Sequence, residues 1–360
     1  MSAPRARFAL ITRFARFAFM AVVAPLAVLA PIALGIAPRA VHAAAEHAAS
    51  REGAETPRAA RGGCDERCLD ALARTYLAAL AAHDPTRLPT TRDVRFTENT
   101  IELPLGQGLW TTLSGLKHYV HLIPDPDSGQ VGLYAAIEEN GTGALLAARL
   151  RLRGGKVSEL ETIVVRAADM GTFLKTDAAE VRPGFTEVVP PAKRESRQEL
   201  MRIANLYFEG LEQRTGEIVP FSDQCRRFEN GTQTAGAPLP GTPARPPIKL
   251  PNGRTWSLPT GCKASFDTRM FSYITRIDHR RYPVVDRSRG VVMSFVTFQH
   301  EGNVKSADVP GVGKVPMFAS ALHPFAVVIA ETFEIKTGKI REIEADMTKL
   351  PYGTGTGWTP

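Results

Sequence analysis

Two seven-residue stretches, 183 positions apart, constrain the fold of this chain more than any other feature. Gly155-Lys156-Val157-Ser158-Glu159-Leu160-Glu161 and Gly338-Lys339-Ile340-Arg341-Glu342-Ile343-Glu344 are identical at four positions and exchange one aliphatic residue for another at two more. Tyr76-Leu77-Ala78-Ala79-Leu80 has its counterpart in Tyr207-Phe208-Glu209-Gly210-Leu211 at an offset of 131. Arg95-Phe96 matches Arg227-Phe228 at 132, and Pro124-x-x-Asp127 matches Pro283-x-x-Asp286 at 159. A chain of 360 residues is long enough for two domains. The repeat says that the two are alike.

Hydrophobic periodicity gives each half a similar order of elements. Leu69, Leu72, Ala73, Tyr76, Leu77 and Leu80 recur at helical spacing over Cys68–His83, as do Ile203, Leu206, Tyr207 and Leu211 over Leu200–Leu211. Strand patterns follow at Val94–Phe96, Ile101–Leu105, Val131–Ile137, Leu145–Leu152 and Val157–Val165, with Thr111–Tyr119 read as a short helix or irregular crossing. In the second half they fall at Met270–Asp278, Val291–His300, Phe325–Ile335 and Lys339–Met347. The widening offsets mean that about 27 residues (159 − 132) and then 24 (183 − 159) have entered the second copy. Pro-rich Thr232–Lys263 and Asn303–His323 are where they fit (insertions near 232–263 and 303–323). Insertions of that size serve as functional loops or as stiffening flaps.

The first 43 residues read as an address. Arg5, Arg7, Arg13 and Arg16 precede an uncharged apolar run, Phe17–Ile36, and Val41-His42-Ala43 offers a signal-peptidase site. A retained membrane anchor is the alternative, weakened by Pro25 and Pro31. Residues 44–63 then form a tether, 64–185 the first domain, 195–350 the second and 351–360 a Gly-rich tail. Cleavage removes five arginines and no acid, leaving 44 − 5 = 39 basic against 37 acidic residues, so the formal charge of +7 falls to +2. No basic stripe remains to draw a polyanion, which argues against a nucleic-acid partner. No other run is long enough to span a membrane. The expectation is a secreted or periplasmic protein that meets a small-molecule ligand.

Cysteine usage fits that compartment. Cys64, Cys68, Cys225 and Cys262 imply two disulfides, for which three connectivities exist. Cys225–Cys262 is favoured because the two flank the Pro-rich insertion, which leaves Cys64 to Cys68, one helical turn away. No second Cys or His pair stands at zinc spacing, so neither a metal nor a cofactor is expected.

A long helix, two short strands, a crossing and three long antiparallel strands, taken in that order, resemble the nuclear-transport-factor-2-like, or SnoaL-like, superfamily. Cys64-Asp65-x-x-Cys68-Leu69, Glu138-Glu139-Asn140-Gly141, Arg281-Tyr282-Pro283-Val284-Val285-Asp286 and Leu350-Pro351-Tyr352-Gly353 also resemble an exported, two-copy family of fungi and bacteria without known function. The resemblance covers roughly residues 64–358. It implies an α+β fold of two tandem cone-shaped domains, each a curved antiparallel sheet packed on helices. It implies no single activity, because the superfamily spans isomerases, cyclases, dehydratases, epoxide hydrolases and binding modules.

Gly-x-Ser-x-Gly, a phosphate loop and His-Glu-x-x-His are all absent. Bridged cysteines leave no thiol nucleophile, so acid–base chemistry remains. Alternation puts Glu331 on one apolar face with Val327, Ile329, Phe333 and Ile335, where lost hydration raises a carboxylate toward the range of a general acid or base. Its mate at offset 183 is Ala148, and a fold-holding pair with Arg281 or Arg227 is the structural alternative. His300 ends its strand beside the second insertion and suits proton transfer. Asp278 would orient His279 or His300, and Arg281 would clamp a substrate carboxylate. The reading is a metal-free isomerase, dehydratase or lyase with Glu331, His300 and Asp278 catalytic and Arg281, Tyr273 and His279 holding substrate. A non-catalytic ligand-binding module of the cell envelope is the alternative. Glu98, Glu138, Trp110 and Trp256 are secondary candidates.

Overall fold

The computed structural model describes residues 63–170, 173–240 and 245–358. The signal, the alternative anchor and nearly all of the tether lie outside the described residues. The first copy runs α1 (Glu66–Ala81), β1 (Thr90–Glu98), β2 (Ile101–Glu102), α2 (Leu109–Thr112), β3 (Leu113–Asp125), β4 (Gln130–Glu139), β5 (Thr142–Arg153) and β6 (Lys156–Val165). Two short helices, α3 (Ala167–Met170) and α4 (Pro183–Thr186), lead to the second copy. That copy begins with α5 (Arg197–Gln213), β7 (Phe221–Glu229) and β8 (Thr232–Ala235). Its first insertion holds β9 (Ile248–Lys249), β10 (Thr255–Trp256) and α6 (Cys262–Asp267). Then come β11 (Arg276–Asp286), β12 (Val291–His300), an inserted hairpin of β13 (Ser306–Val309) and β14 (Gly313–Pro316), β15 (Phe325–Lys336) and β16 (Lys339–Leu350).

Local chemistry starts both long helices. The Cys68 amide donates to the Asp65 carboxylate at 2.9 Å, and the Glu199 amide to the Ser196 hydroxyl at 3.1 Å, each satisfying an otherwise unpaired first-turn donor. Strand order is β2-β1-β6-β5-β4-β3 in one sheet and β8-β7-β16-β15-β12-β11 in the other. In both, one pair is parallel (β1 with β6, β7 with β16) and the other neighbours are antiparallel.

The strand ends sharpen the repeat. A shift of 131 carries β1 onto β7, 161 carries β4 onto β12, and 183 carries β5 onto β15, residue for residue. The Arg-Phe match at 132 is therefore out of step by one, and the Pro-x-x-Asp match by two. Asp125 and Asp286 are the residues that end matching strands. The two insertions become 161 − 131 = 30 and 183 − 161 = 22 residues.

Thr111–Tyr119 and Met270–Asp278 each straddle a helical turn and the start of a longer strand, β3 or β11. Both strands lie at sheet edges, where Pro124 and Pro283 cost no ladder hydrogen bond in the sheet interior. Ile101–Leu105 contracts to the two residues of β2.

One face of each sheet carries its long helix, and the other two faces meet. Tyr119, Ile123 and Tyr134 of the first copy pack there with Met293, Phe295 and Ala330 of the second. Polar contacts cross the same seam: the Tyr119 hydroxyl donates to Glu344 at 2.6 Å, and Tyr134 to the Ala330 carbonyl at 3.0 Å. With both faces covered, β12 and β15 are buried at every residue. The two sheets thus share one compact unit, Ala59–Pro360.

The Gly-rich end of the chain is tied down as well. The Trp358 indole donates to Thr97 at 2.9 Å and lies 4.1 Å from the Arg95 guanidinium, on the first sheet. Disulfides join Cys64 to Cys68 and Cys225 to Cys262, as an oxidising compartment allows. Among the described residues no helix is long and apolar enough to cross a membrane.

Candidate functional site

The helix-bearing face of the first sheet carries a continuous cluster of buried apolar side chains. Tyr76, Phe96, Trp110 and Ala148 belong to one buried cluster, with the Trp110 ring edge-on to Tyr76 at 5.8 Å. Such large buried side chains each contribute roughly 1.5–3 kcal/mol by leaving water. The same face of the second sheet instead holds a cavity of about 690 Å³. Its base is Tyr207 and Leu211 of α5 with Arg227 and Glu229 of β7. Phe298 and His300 of β12, Phe325 and Val327 of β15, and Lys349 of β16 form a wall. Both insertions reach it: Arg245 and Leu258 from the first, Phe318 and Ser320 from the second. Asp169, Met170 and Phe173 close it from the segment that joins the copies.

Matching the copies at the corrected shifts shows what changed beneath this cavity. Tyr207 keeps the place of Tyr76, and Glu229 that of Glu98, but Arg227 stands for Phe96 and Glu331 for Ala148. Two apolar core positions have become a cation and an acid. Arg227 is 3 % exposed, yet its Nε donates to Thr234 at 3.0 Å and lies 3.3 Å from Glu229, while Nη1 is 3.5 Å from the Tyr207 hydroxyl. Glu331 is 2 % exposed, and one of its oxygens has no hydrogen-bond partner. Burial, helped by the charge of Glu229, pushes its carboxyl up to about 8 against a Tyr207 hydrogen bond and Arg227. At neutral pH it is a protonated acid in contact with a phenol that lines the cavity.

Of the residues singled out by sequence, His300 and Tyr273 line the cavity and Glu331 lies against its base. The His300 ring is stacked between Tyr273, 5.2 Å away, and Phe325, 4.0 Å away. Burial pushes its pKa down to about 4, overriding a hydrogen bond to the Phe325 backbone, and the nearby Lys349 charge adds to the fall. His300 is therefore neutral near pH 7.

Asp278, His279 and Arg281 are not among the lining residues. Asp278 takes the Arg276 Nε on both oxygens, at 2.8 and 2.7 Å. His279 is exposed at a positive φ of 54°. Arg281 pairs with Glu161 across the seam between the sheets, and Glu161 also accepts from Arg149 at 3.0 Å. The reason is local. Register shifts between Asp278 and Arg281, and again between Arg281 and Val284, interrupt the regular alternation along β11, and Arg281 faces the seam while His279 stands in solvent. Among the secondary candidates, Trp110 is core and Glu98 is bound by the Leu109 amide and Arg166, each at 2.7 Å.

Sequence reasoning misses Arg227, Glu229, Tyr207, Arg245 and Lys349 as site residues. At an offset of 132 Phe96 falls against Phe228 and nothing looks unusual. At 131 it falls against Arg227, and an arginine in a core position becomes visible.

Residues 193–347 match the model of a family described as a domain of unknown function (DUF8021). The matched span begins just before α5 and ends within β16, so it takes in nearly all of the second copy, both insertions and most of the cavity lining, with Asp169, Met170, Phe173 and Lys349 outside it. No curated protein matches this chain. Among solved structures, a de novo designed protein with a curved β-sheet is similar at 15 % identity and a TM-score of 0.25, over 42 % of this chain and 87 % of its own.

Proposed function

We propose that this protein acts outside the cytoplasm by taking a small, mostly apolar organic molecule into the cavity of its second sheet. The observation that carries the reading is the contrast between the copies: Trp110 and Phe96 fill the first, while the second is open over about 690 Å³ and has Arg227 and Glu331 at its base. A cavity of that size, apolar with a few converging polar groups, is what small-molecule sites have in common. The superfamily resemblance, with each sheet as a cone around its helix, belongs to this same reading.

The test is a fluorescence titration with N-phenyl-1-naphthylamine, an uncharged aromatic probe that brightens out of water. Wild type binds it at one site. Val327→Trp, which fills the cavity from β15, loses binding at unchanged circular dichroism. Binding that survives in the filled variant sinks the proposal.

A second reading, acid–base turnover of the isomerase, dehydratase or lyase kind, is favoured by one observation: Glu331 keeps its proton to about pH 8 beside Tyr207. In this reading Glu331 stores the proton, Tyr207 passes it to the bound molecule, and neutral His300 and Tyr273 present aromatic surface to it. Carbon-13 labelling of the glutamate carboxyls, assigned with Glu331→Gln, reads the titration directly. A midpoint near 4.5 would remove the proton store.

A further inference from the structure

The two copies differ at the cavity rim as well as at its base, and the difference is one of charge pairing. In the first copy Arg166 is closed off by two acids, Glu98 at 2.7 Å and Glu139 at 2.6 Å. The matching residues of the second copy are Lys349, Glu229 and His300, at shifts of 183, 131 and 161. One of the two acids has thus become an imidazole, stacked on Phe325 and uncharged near pH 7. The other, Glu229, stands at Arg227. Among the described residues no carboxylate lies within 4 Å of Lys349, whose Nζ sits 4.4 Å from the Phe325 ring centre.

The first insertion brings a second cation in the same condition. Arg245 spends its Nη2 on the Thr234 and Gln233 carbonyls, and among the described residues no carboxylate lies within 4 Å of it. Burial and the positive charge of Arg227 act against its own charge and outweigh the opposing pull of Glu229. Three cations therefore line the cavity, Arg227, Arg245 and Lys349, against two acids, Glu229 and Asp169. Only one of the three is paired. Most of the remaining lining is aromatic or aliphatic, with Thr232, Gln233, Thr234 and Ser320 adding uncharged polar groups. An apolar chamber with unneutralised cations at its rim is complementary to an amphipathic anion.

We propose that the molecule held in this cavity is an organic acid, an apolar ring-bearing body ended by an oxyanion that Arg245 and Lys349 neutralise. This rests on the cavity being the binding site, and the test keeps the two apart. N-phenyl-1-naphthylamine and 1-anilinonaphthalene-8-sulfonate share the same aromatic body and differ by one sulfonate. Wild type should bind the sulfonate about tenfold more tightly, the size of one charge-assisted contact. The Arg245→Ala/Lys349→Ala double variant should lose that advantage and bind the two probes alike, with circular dichroism as in wild type to show that the fold is intact. Equal affinity of wild type for the two probes, or a sulfonate preference that survives the double variant, overturns the organic-acid assignment and leaves the cavity standing. Binding of both probes that Val327→Trp does not diminish overturns the cavity itself.

Discussion

Glu331→Gln separates a buried neutral acid from a buried ion pair, because the two respond to pH with opposite sign. Burial holds this carboxyl protonated to about pH 8 in the folded protein, against an ordinary value of 4.5. The unfolded chain therefore gives up this proton at lower pH than the folded chain does. Stability is full below 4.5, falls as pH rises from there and levels off above about 8. Each pH step between those two values is worth about 1.4 kcal/mol, so the total is roughly 4–5 kcal/mol, of which roughly 3–4 kcal/mol is lost between pH 5 and 8. Glutamine keeps the shape and cannot ionise. Urea unfolding of both proteins at half-unit pH steps should give similar stabilities near pH 5, with the variant drawing ahead by several kcal/mol near pH 8. Glu334, pushed up to about 7, and Asp346, raised by burial, contribute the same sign to both proteins and cancel in the difference. Parallel curves, or a variant already unfolded at pH 5, would show an ionised, Arg227-paired carboxylate and refute the reasoning.

Three further outcomes follow from the packing. Arg281→Ala leaves Arg149 as the cation that holds Glu161 in the seam between the sheets and should cost roughly 1–3 kcal/mol in urea unfolding, with affinity for the neutral probe unchanged. Replacing Cys225 and Cys262 by serine frees a loop of sequence separation 37, worth about 4 kcal/mol in the chain-entropy account. The same change should weaken probe binding, because Arg245 and Leu258 lie on that loop. Trp358→Ala removes the indole from Thr97 and from the guanidinium groups of Arg95 and Arg149, and a loss of about 1–2 kcal/mol is expected by thermal unfolding.

The parts of this fold legible in the sequence are those where one force decides the pattern. The two long helices bury one stripe each, so Leu69 to Leu80 and Ile203 to Leu211 declare them. The apolar run Val291–His300 bounds β12 to the residue. The duplication is legible too, and with it the insertions that reach the cavity. What stays hidden needs three dimensions. Edge strand β3 reads as a short helix or crossing and β11 reads as a strand that ends at Asp278, since only their position at the sheet margin makes their prolines and polar residues tolerable. The face of β15 opposite Glu331 has the pattern of an outside and is the seam between the sheets, with Val328 and Ala330 inside it. Arg281 reads as a clamp for the same reason: nothing local to β11 says that Glu161, 120 residues earlier, is waiting for it. Matching Phe96 one residue out of step conceals Arg227, the cation on which the base of the cavity turns.

The central claim is that the second copy, and not the first, holds a ligand. Crystals soaked with an iodinated N-phenyl-1-naphthylamine test it through the anomalous signal of the iodine. One strong peak is expected, enclosed by Tyr207, Arg227, Phe298 and Phe325. A peak on the helix side of the first sheet near Trp110, or none in the cavity at saturating probe, would contradict it.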